Sequence, residues 1–363
     1  MILINAPTIS IHSGHSVGRI RRLRLLAIVP VIIAAVINTG YQYLLAVQAN
    51  SGEAGDGWRG SMAHFFYVDF ADPGVYSVVI AGLIHIIPVF FFAVLAGGFC
   101  ERLFAENRKR PFDSGIVYTA LLFTLLMPPG VAIFHIVFGM SFAIILAQGI
   151  FGGEGRSFLN PALVGVAIVQ ISFPVALTSH PLWSGINGYA GSRELVLYHQ
   201  QSLEGLTWSG LDWWQAFIGN SQGLIGGSSV LAVMLGAAVL LYGRIASWRL
   251  IGGQLLGLIL AASLFNLLGG GIRDLPWYWH LVLGSYAFAA VFIATDPSSS
   301  AATNAGRWGQ GILLGILLVL MRVLNDSHPD SVVPVLLLVS MTAPLIDHIV
   351  MWINIRQRGK ISG

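Results

Sequence analysis

The chemistry in this sequence is concentrated in a few ionisable groups set among apolar residues. Asp347 lies well inside the last apolar run, within Ala343-Pro344-Leu345-Ile346-Asp347-His348. A carboxylate at membrane depth costs roughly 3 kcal/mol unless it is paired or faces water. Asp347 therefore reads either as part of a cation pathway, whose hard oxygen ligands suit Na+ and protons, or as a structural group paired with His348 or a helix end. Glu101 and Asp296 stand nearer to helix ends, where a side chain reaches water more easily. His85, His135 and His280 fall on apolar stretches, which suits hydrogen-bonded packing better than metal ligation, so no metal site is expected. Cys100 is the single cysteine. That excludes an internal disulfide, a CxxCH haem site and a four-thiolate iron–sulfur site. A redox role would require an organic cofactor or metals held by other chains. Gly152-Gly153-Glu154-Gly155-Arg156 is glycine-rich but lacks the GxxxxGK[ST] pattern, which argues against nucleotide binding. Gly97-Gly98 has a plain use in letting helices approach.

The elements that must hold these groups follow from composition. Of 363 residues, 55 % are hydrophobic and 10 % charged, against about 25 % charged in soluble domains. The reading is an all-α polytopic membrane protein embedded in the lipid bilayer. Disorder and nucleic-acid binding are excluded, since both need polar or charged residues in bulk. Spans of about 20 residues predict ten segments: 24–48, 77–105, 113–128, 130–150, 160–177, 224–242, 249–268, 277–295, 309–325 and 332–354. The third is short because Met127-Pro128-Pro129-Gly130 must break a helix. The first apolar run is too long for a signal h-region and is expected to remain as a span. Trp208, Trp213, Trp214, Trp277, Tyr278 and Trp279 form an interfacial belt on one side.

Orientation follows from the basic residues. With the N-terminus inside, fifteen of nineteen Lys and Arg fall on the cytoplasmic side, leaving only Arg59, Arg193, Arg273 and Arg322 outside. This positive-inside bias places both termini in the cytoplasm and the long loops 49–76 and 178–223 outside. The chain also resembles itself at an offset of 145 residues: Gly98 matches Gly243, Gly139 matches Gly284, and His135 and His280 precede their glycines equally. One integral domain, 1–363, thus contains two duplicated halves, about 24–177 and 224–354, joined by the outer loop 178–223. Duplicated halves are typical of transport folds with a site at their interface; spacing leaves open whether these are parallel or inverted.

Longer phrases are more specific. Phe151-Gly152-Gly153-Glu154-Gly155-Arg156, Phe158-Leu159-Asn160-Pro161-Ala162-Leu163, Ala216-Phe217-Ile218-Gly219-Asn220, Ile245-Ala246-Ser247-Trp248-Arg249, His280-Leu281-Val282-Leu283-Gly284, Thr295-Asp296-Pro297 and the Asp347 segment form a distinctive set. Together they resemble the family that holds the B-type subunits of the Na+-translocating NADH:quinone reductase (Nqr) and the D-type subunits of the Rnf electron transport complex. The likeness runs from about residue 17 to 358. It implies a ten-span, urea-transporter-like fold in a six-subunit complex of the bacterial inner membrane, where electrons pass through flavins to quinone and drive Na+ export. Carried over by position, Glu101, Asp296 and Asp347 match acids implicated in sodium uptake. Gly97 and Gly98 match a quinone-proximal glycine pair. Asn160 matches a residue beside a non-covalent riboflavin, with Ser157 replacing its companion asparagine.

Two further positions depart from the pattern. The family holds FMN by a phosphoester to the threonine of a Ser-Gly-Ala-Thr motif, and Arg193 stands at that position here. A guanidinium cannot form the ester, so covalent FMN is expected to be absent; Ser192 is a remote alternative one residue early. Gly227 replaces a usual glutamate. The implied function is a membrane subunit of a cation-translocating (Na+ or H+) NADH:quinone oxidoreductase or Rnf-type complex, working with the other subunits and quinone rather than as an isolated enzyme. The alternative is a non-redox channel, transporter or scaffold on the same duplicated fold.

Overall fold

The computed structural model describes residues 17–49, 57–109, 112, 115–153, 157–174, 212–221, 223–269, 274–325 and 330–361. Among the described residues every regular element is helical. In chain order they are α1 (Val17–Ala49), α2 (Trp58–Phe65), α3 (Val75–Asn107), α4 (Ile116–Leu125), α5 (Ile133–Phe142), α6 (Pro161–Ser172), α7 (Trp213–Ile218), α8 (Val230–Tyr242), α9 (Trp248–Leu268), α10 (Trp277–Val282), α11 (Tyr286–Phe288), α12 (Asn304–Leu324) and α13 (Val332–Ile361). Two π-helical stretches, Ala143–Gly149 and Ala289–Ile293, continue α5 and α11. A 3-10 turn, Ile225–Gly227, precedes α8.

By length and apolar composition, α3, α9, α12 and α13 are long enough to cross a membrane. Their lipid-facing sides carry exposed Phe91, Leu95, Phe99, Leu260 and Leu264. The first predicted span, 24–48, lies within the 33 residues of α1, whereas several others are shorter than expected. The expected third span, 113–128, is helical only over the ten residues of α4. At 1.5 Å per residue this is about 15 Å, half of a hydrocarbon core. The reason is Pro128-Pro129, after which the backbone turns and the carbonyl of Met127 accepts from the amide of Ile225 at 3.2 Å. Two helix breaks therefore satisfy each other inside the protein, the condition under which non-helical backbone survives at membrane depth. The expected span 277–295 is likewise interrupted. Gly284 takes φ +69° between α10 and α11, a conformation that glycine adopts without steric cost.

Packing between long helices depends on small residues. A Cβ on Gly40 of α1 would lie 1.8 Å from the Val78 carbonyl oxygen, and one on Gly82 of α3 would lie 2.0 Å from that of Val36. The two backbones touch, as small-residue seams allow in membranes. The segment between them holds α2, which Arg59 fastens by donating to the carbonyls of Gly130 (3.4 Å) and Val131 (3.1 Å). Burial pushes the Arg59 guanidinium down to about 10, so it stays cationic at neutral pH.

Arg322, expected at the outer end of its span, is instead fully enclosed at 2 % exposure. Its guanidinium donates to the carbonyls of His280 (2.9 Å) and Leu283 (2.7 Å) and stands 3.7 Å from the Asp330 carboxylate. Asp330 in turn accepts from the amide and hydroxyl of Ser285. This cluster holds both sides of the Gly284 break. His85 lies buried against Tyr43, with a ring nitrogen 2.8 Å from the Ala81 carbonyl oxygen. His135 packs on Phe173.

Candidate functional site

Asn160 precedes α6 in an extended conformation, and its Oδ1 accepts from the Ala162 amide at 3.0 Å. This is an N-cap, with Pro161 at the first helical position, where no amide hydrogen is missed. Using Oδ1 for the cap turns Nδ2 outward, where it donates to Asp296 Oδ2 at 2.9 Å. Asp296 follows the second π stretch in a tight turn whose carbonyl accepts from the amides of Ser299 and Ser300. The other carboxylate oxygen, Oδ1, accepts from Arg24 Nη2 of α1 at 3.1 Å. Three distant stretches of chain thus meet on one carboxylate.

These groups line a cavity of about 370 Å3 between α1, α4, α6 and the Asp296 turn. Tyr118 forms one wall, with the Arg24 guanidinium 5.5 Å from its ring centre; Gln148 and Ser157 add polar edges. The volume lies within the roughly 300–1,000 Å3 usual for small-molecule sites.

Asp347 is held separately. Its carboxylate accepts from the amides of Ala302 (2.7 Å) and Thr303 (3.0 Å) and from the Thr303 hydroxyl. Thr303 also caps α12 by accepting from the Gly306 amide. Asp347 therefore ties α13 to the first turn of α12, where helix dipoles favour a negative charge. Its partner is this turn, not the neighbouring His348.

Glu101 is fully buried on α3 and, like Asp347, does not line the cavity. One turn earlier, Gly97 faces Met140 and Ile116, whereas a Cβ on Gly98 would meet nothing within 4 Å. Gly98 therefore leaves a notch on the face that carries exposed Leu95 and Phe99. Of the residues singled out from sequence, the fold brings together Asn160 and Asp296, and neither Glu101 nor Asp347 lines their cavity. Ser192 and Arg193 lie outside the described residues. Gly227 packs against the second break: a Cβ there would lie 3.0 Å from Ser285 Cα.

Arg24, Tyr118, Gln148 and Thr303 are not recognisable as site residues from their types. In sequence Arg24 reads only as a topology charge, although it is the deepest of the N-terminal arginines and directly precedes the apolar run. Arg322 carries a clearer signal, an arginine within Leu-Val-Leu-Met-Arg-Val-Leu, which marks a buried partner.

A model of the NQR2, RnfD, RnfE family matches residues 5–356. The chain belongs to that family. Among its relatives, the B-type subunit of the Na(+)-translocating NADH-quinone reductase of Azotobacter vinelandii is 38 % identical over 98 % of this chain and 89 % of the relative. The protein of the same name from Stutzerimonas stutzeri is 37 % identical with the same coverage. That of Klebsiella pneumoniae is 36 % identical over 92 % of this chain and 84 % of the relative. As a member of the NQR2, RnfD, RnfE family, this chain has its Asn160–Asp296 cavity inside the matched region.

Proposed function

We propose that this chain is the B-type membrane subunit of a cation-translocating NADH:quinone oxidoreductase, in which electron transfer through flavin and quinone is coupled to movement of Na+ or H+. One observation carries the reading: Asn160, the residue at the flavin-side position, and Asp296, an acid at the cation position, share a hydrogen bond in a single ligand-sized cavity. Such contact gives redox chemistry and cation binding a direct physical connection. The residues present suit a riboflavin held without a covalent bond. Leu122 and Pro161 offer apolar faces against the ring system. Gln148 and Ser157 offer polar partners for the heterocycle's edge, and Arg24 a cation near its carbonyls. When bound, the flavin supplies one- and two-electron transfer; this chain's residues bind it, orient it and fix Asp296 beside it.

Covalent FMN does not fit, because Arg193 replaces the hydroxyl that the phosphoester needs. Gly98, open on the exposed side of α3, suits approach of a quinone from the lipid. The chain acts as one subunit among others in the bacterial inner membrane, with both termini cytoplasmic. Ten crossings in two urea-transporter-like halves are supported by the paired breaks, by π stretches after both matched His–Gly pairs, and by matched capped helices at Asn160 and Thr303. Arg193 itself favours a second reading, a non-redox channel or scaffold.

The deciding experiment is to purify the assembled complex, denature it, and examine flavin fluorescence on the gel and in the released fraction. Released riboflavin without a fluorescent band for this chain is expected. A fluorescent band would overturn the loss of covalent attachment, and absence of released flavin with partner subunits present would overturn the redox reading.

A further inference from the structure

Arg24 holds a position that a membrane protein rarely gives an arginine without purpose. Its side chain is only 17 % exposed, and that of Asp296 only 12 %. The guanidinium engages one carboxylate oxygen, while Asn160 fixes the other. Both oxygens of the acid proposed for cation uptake are therefore already occupied. A guanidinium and a hard metal cation compete for the same lone pairs, so Asp296 cannot offer a full ligand set to a mobile cation while Arg24 stays. The structure also supplies a second contact: while paired with Asp296, the guanidinium lies 5.5 Å from the centre of the Tyr118 ring, and both side chains line the cavity. An arginine on an aromatic face keeps a favourable electrostatic contact without a carboxylate.

We propose that Arg24 is a tethered internal cation that occupies Asp296 and retreats along the Tyr118 face when a mobile cation arrives, so that it sets the cation affinity of this acid. The inference rests on the role of Asp296 in cation uptake given above. It assigns Arg24 a positioning role that neither its sequence context nor the family pattern supplies. With one cation or the other paired to it, the partly buried carboxylate never stands bare. That avoids the penalty of an unpaired charge in a poorly hydrated site.

The test uses the assembled complex, with 22Na+ equilibrium binding and the Na+ dependence of quinone reduction measured in parallel. Arg24→Gln removes the competitor and should lower the Na+ half-saturation in both assays by roughly tenfold, equivalent to about 1.4 kcal/mol. Arg24→Lys, a cation without the planar fork, should fall between that variant and wild type. Tyr118→Leu removes the second contact, holds the guanidinium on Asp296, and should raise the half-saturation, whereas Tyr118→Phe should leave it near wild type. Unchanged or weaker Na+ binding in Arg24→Gln would show that the ion pair is only a brace. If that variant fails to assemble, the Tyr118 pair decides, and equal half-saturation in Leu and Phe variants overturns the proposal. Asp296→Asn separates the two levels. If it leaves Na+ dependence intact, the role of Asp296 itself is wrong; if it weakens Na+ binding while the Arg24 and Tyr118 variants do not shift it, only the internal-cation device fails.

Discussion

Replacing Asn160 by aspartate tests the geometry of the cavity with a change of one atom type. Aspartate caps a helix about as well as asparagine, so the bond to the Ala162 amide and the start of α6 should survive Asn160→Asp. What changes is the other side, where a donor 2.9 Å from Asp296 becomes a carboxylate oxygen. Two like charges at that separation repel by about 6 kcal/mol at an effective dielectric of 20, and protonation of the introduced carboxylate caps the penalty at roughly 4 kcal/mol at pH 7. Arg24, 3.1 Å from the same carboxylate, offsets part of this. Asn160→Ala removes the cap and the bond to Asp296 without adding charge, at about 2–4 kcal/mol from roughly 1 for the cap and 1.5–3 for a bond to a charged group. The expected order of stability is therefore wild type, alanine, aspartate, the reverse of what capping alone dictates for the two variants. Thermal unfolding of the intact complex in detergent gives the order, and released riboflavin should decline in both variants. An aspartate variant as stable as the alanine variant, or more so, at pH 9, where the cost of keeping the introduced carboxylate protonated is largest, would show that Asn160 and Asp296 are not in contact in the working protein.

Other outcomes follow from the same structure. Asp347→Asn should weaken the Na+ dependence of quinone reduction and lower thermal stability by about 1.5–3 kcal/mol per lost charge-assisted bond; an unaltered Na+ titration with lowered stability would assign Asp347 to structure alone. Gly98→Ala should leave the complex folded, since its Cβ meets open space, while altering the KM for quinone; an unchanged KM removes Gly98 from the quinone site. Gly82→Ala forces α1 and α3 apart, and overpacking of this kind costs about 1–3 kcal/mol, which reduced recovery of assembled complex on a native gel would report. Arg322→Ala strands Asp330 and two carbonyls and should cost about 3–5 kcal/mol, read as loss of the folded chain from membranes.

The helical, membrane-embedded character is legible in the sequence because apolar runs dominate composition. Span lengths are less legible. Hydropathy averages across Gly284 and cannot register that one residue with positive φ divides α10 from α11, and apolar residues beyond the helical part of α4 read as span although Pro128 and Pro129 end it. Asp296 and Asn160 can be chosen individually, by residue type and by resemblance, but their contact joins residues 136 apart. Arg24 is hidden for a different reason: among four neighbouring arginines its charge is fully explained by topology, and only three dimensions distinguish it. The Thr303–Asp347 link is similarly obscured, because His348 offers a nearer partner in sequence than the turn that holds the carboxylate.

The buried Arg322 bears on how the chain is made. An arginine entering the bilayer needs acceptors on arrival, and its two carbonyl partners, on His280 and Leu283, belong to chain synthesised before it. Asp330 emerges only eight residues later. Synthesis from the N-terminus therefore makes the carbonyl acceptors before the arginine and the carboxylate after it. The interruption at Gly284 thus frees carbonyl acceptors for an arginine that follows it in the chain, and the same break that shortens the apolar segment satisfies the buried charge.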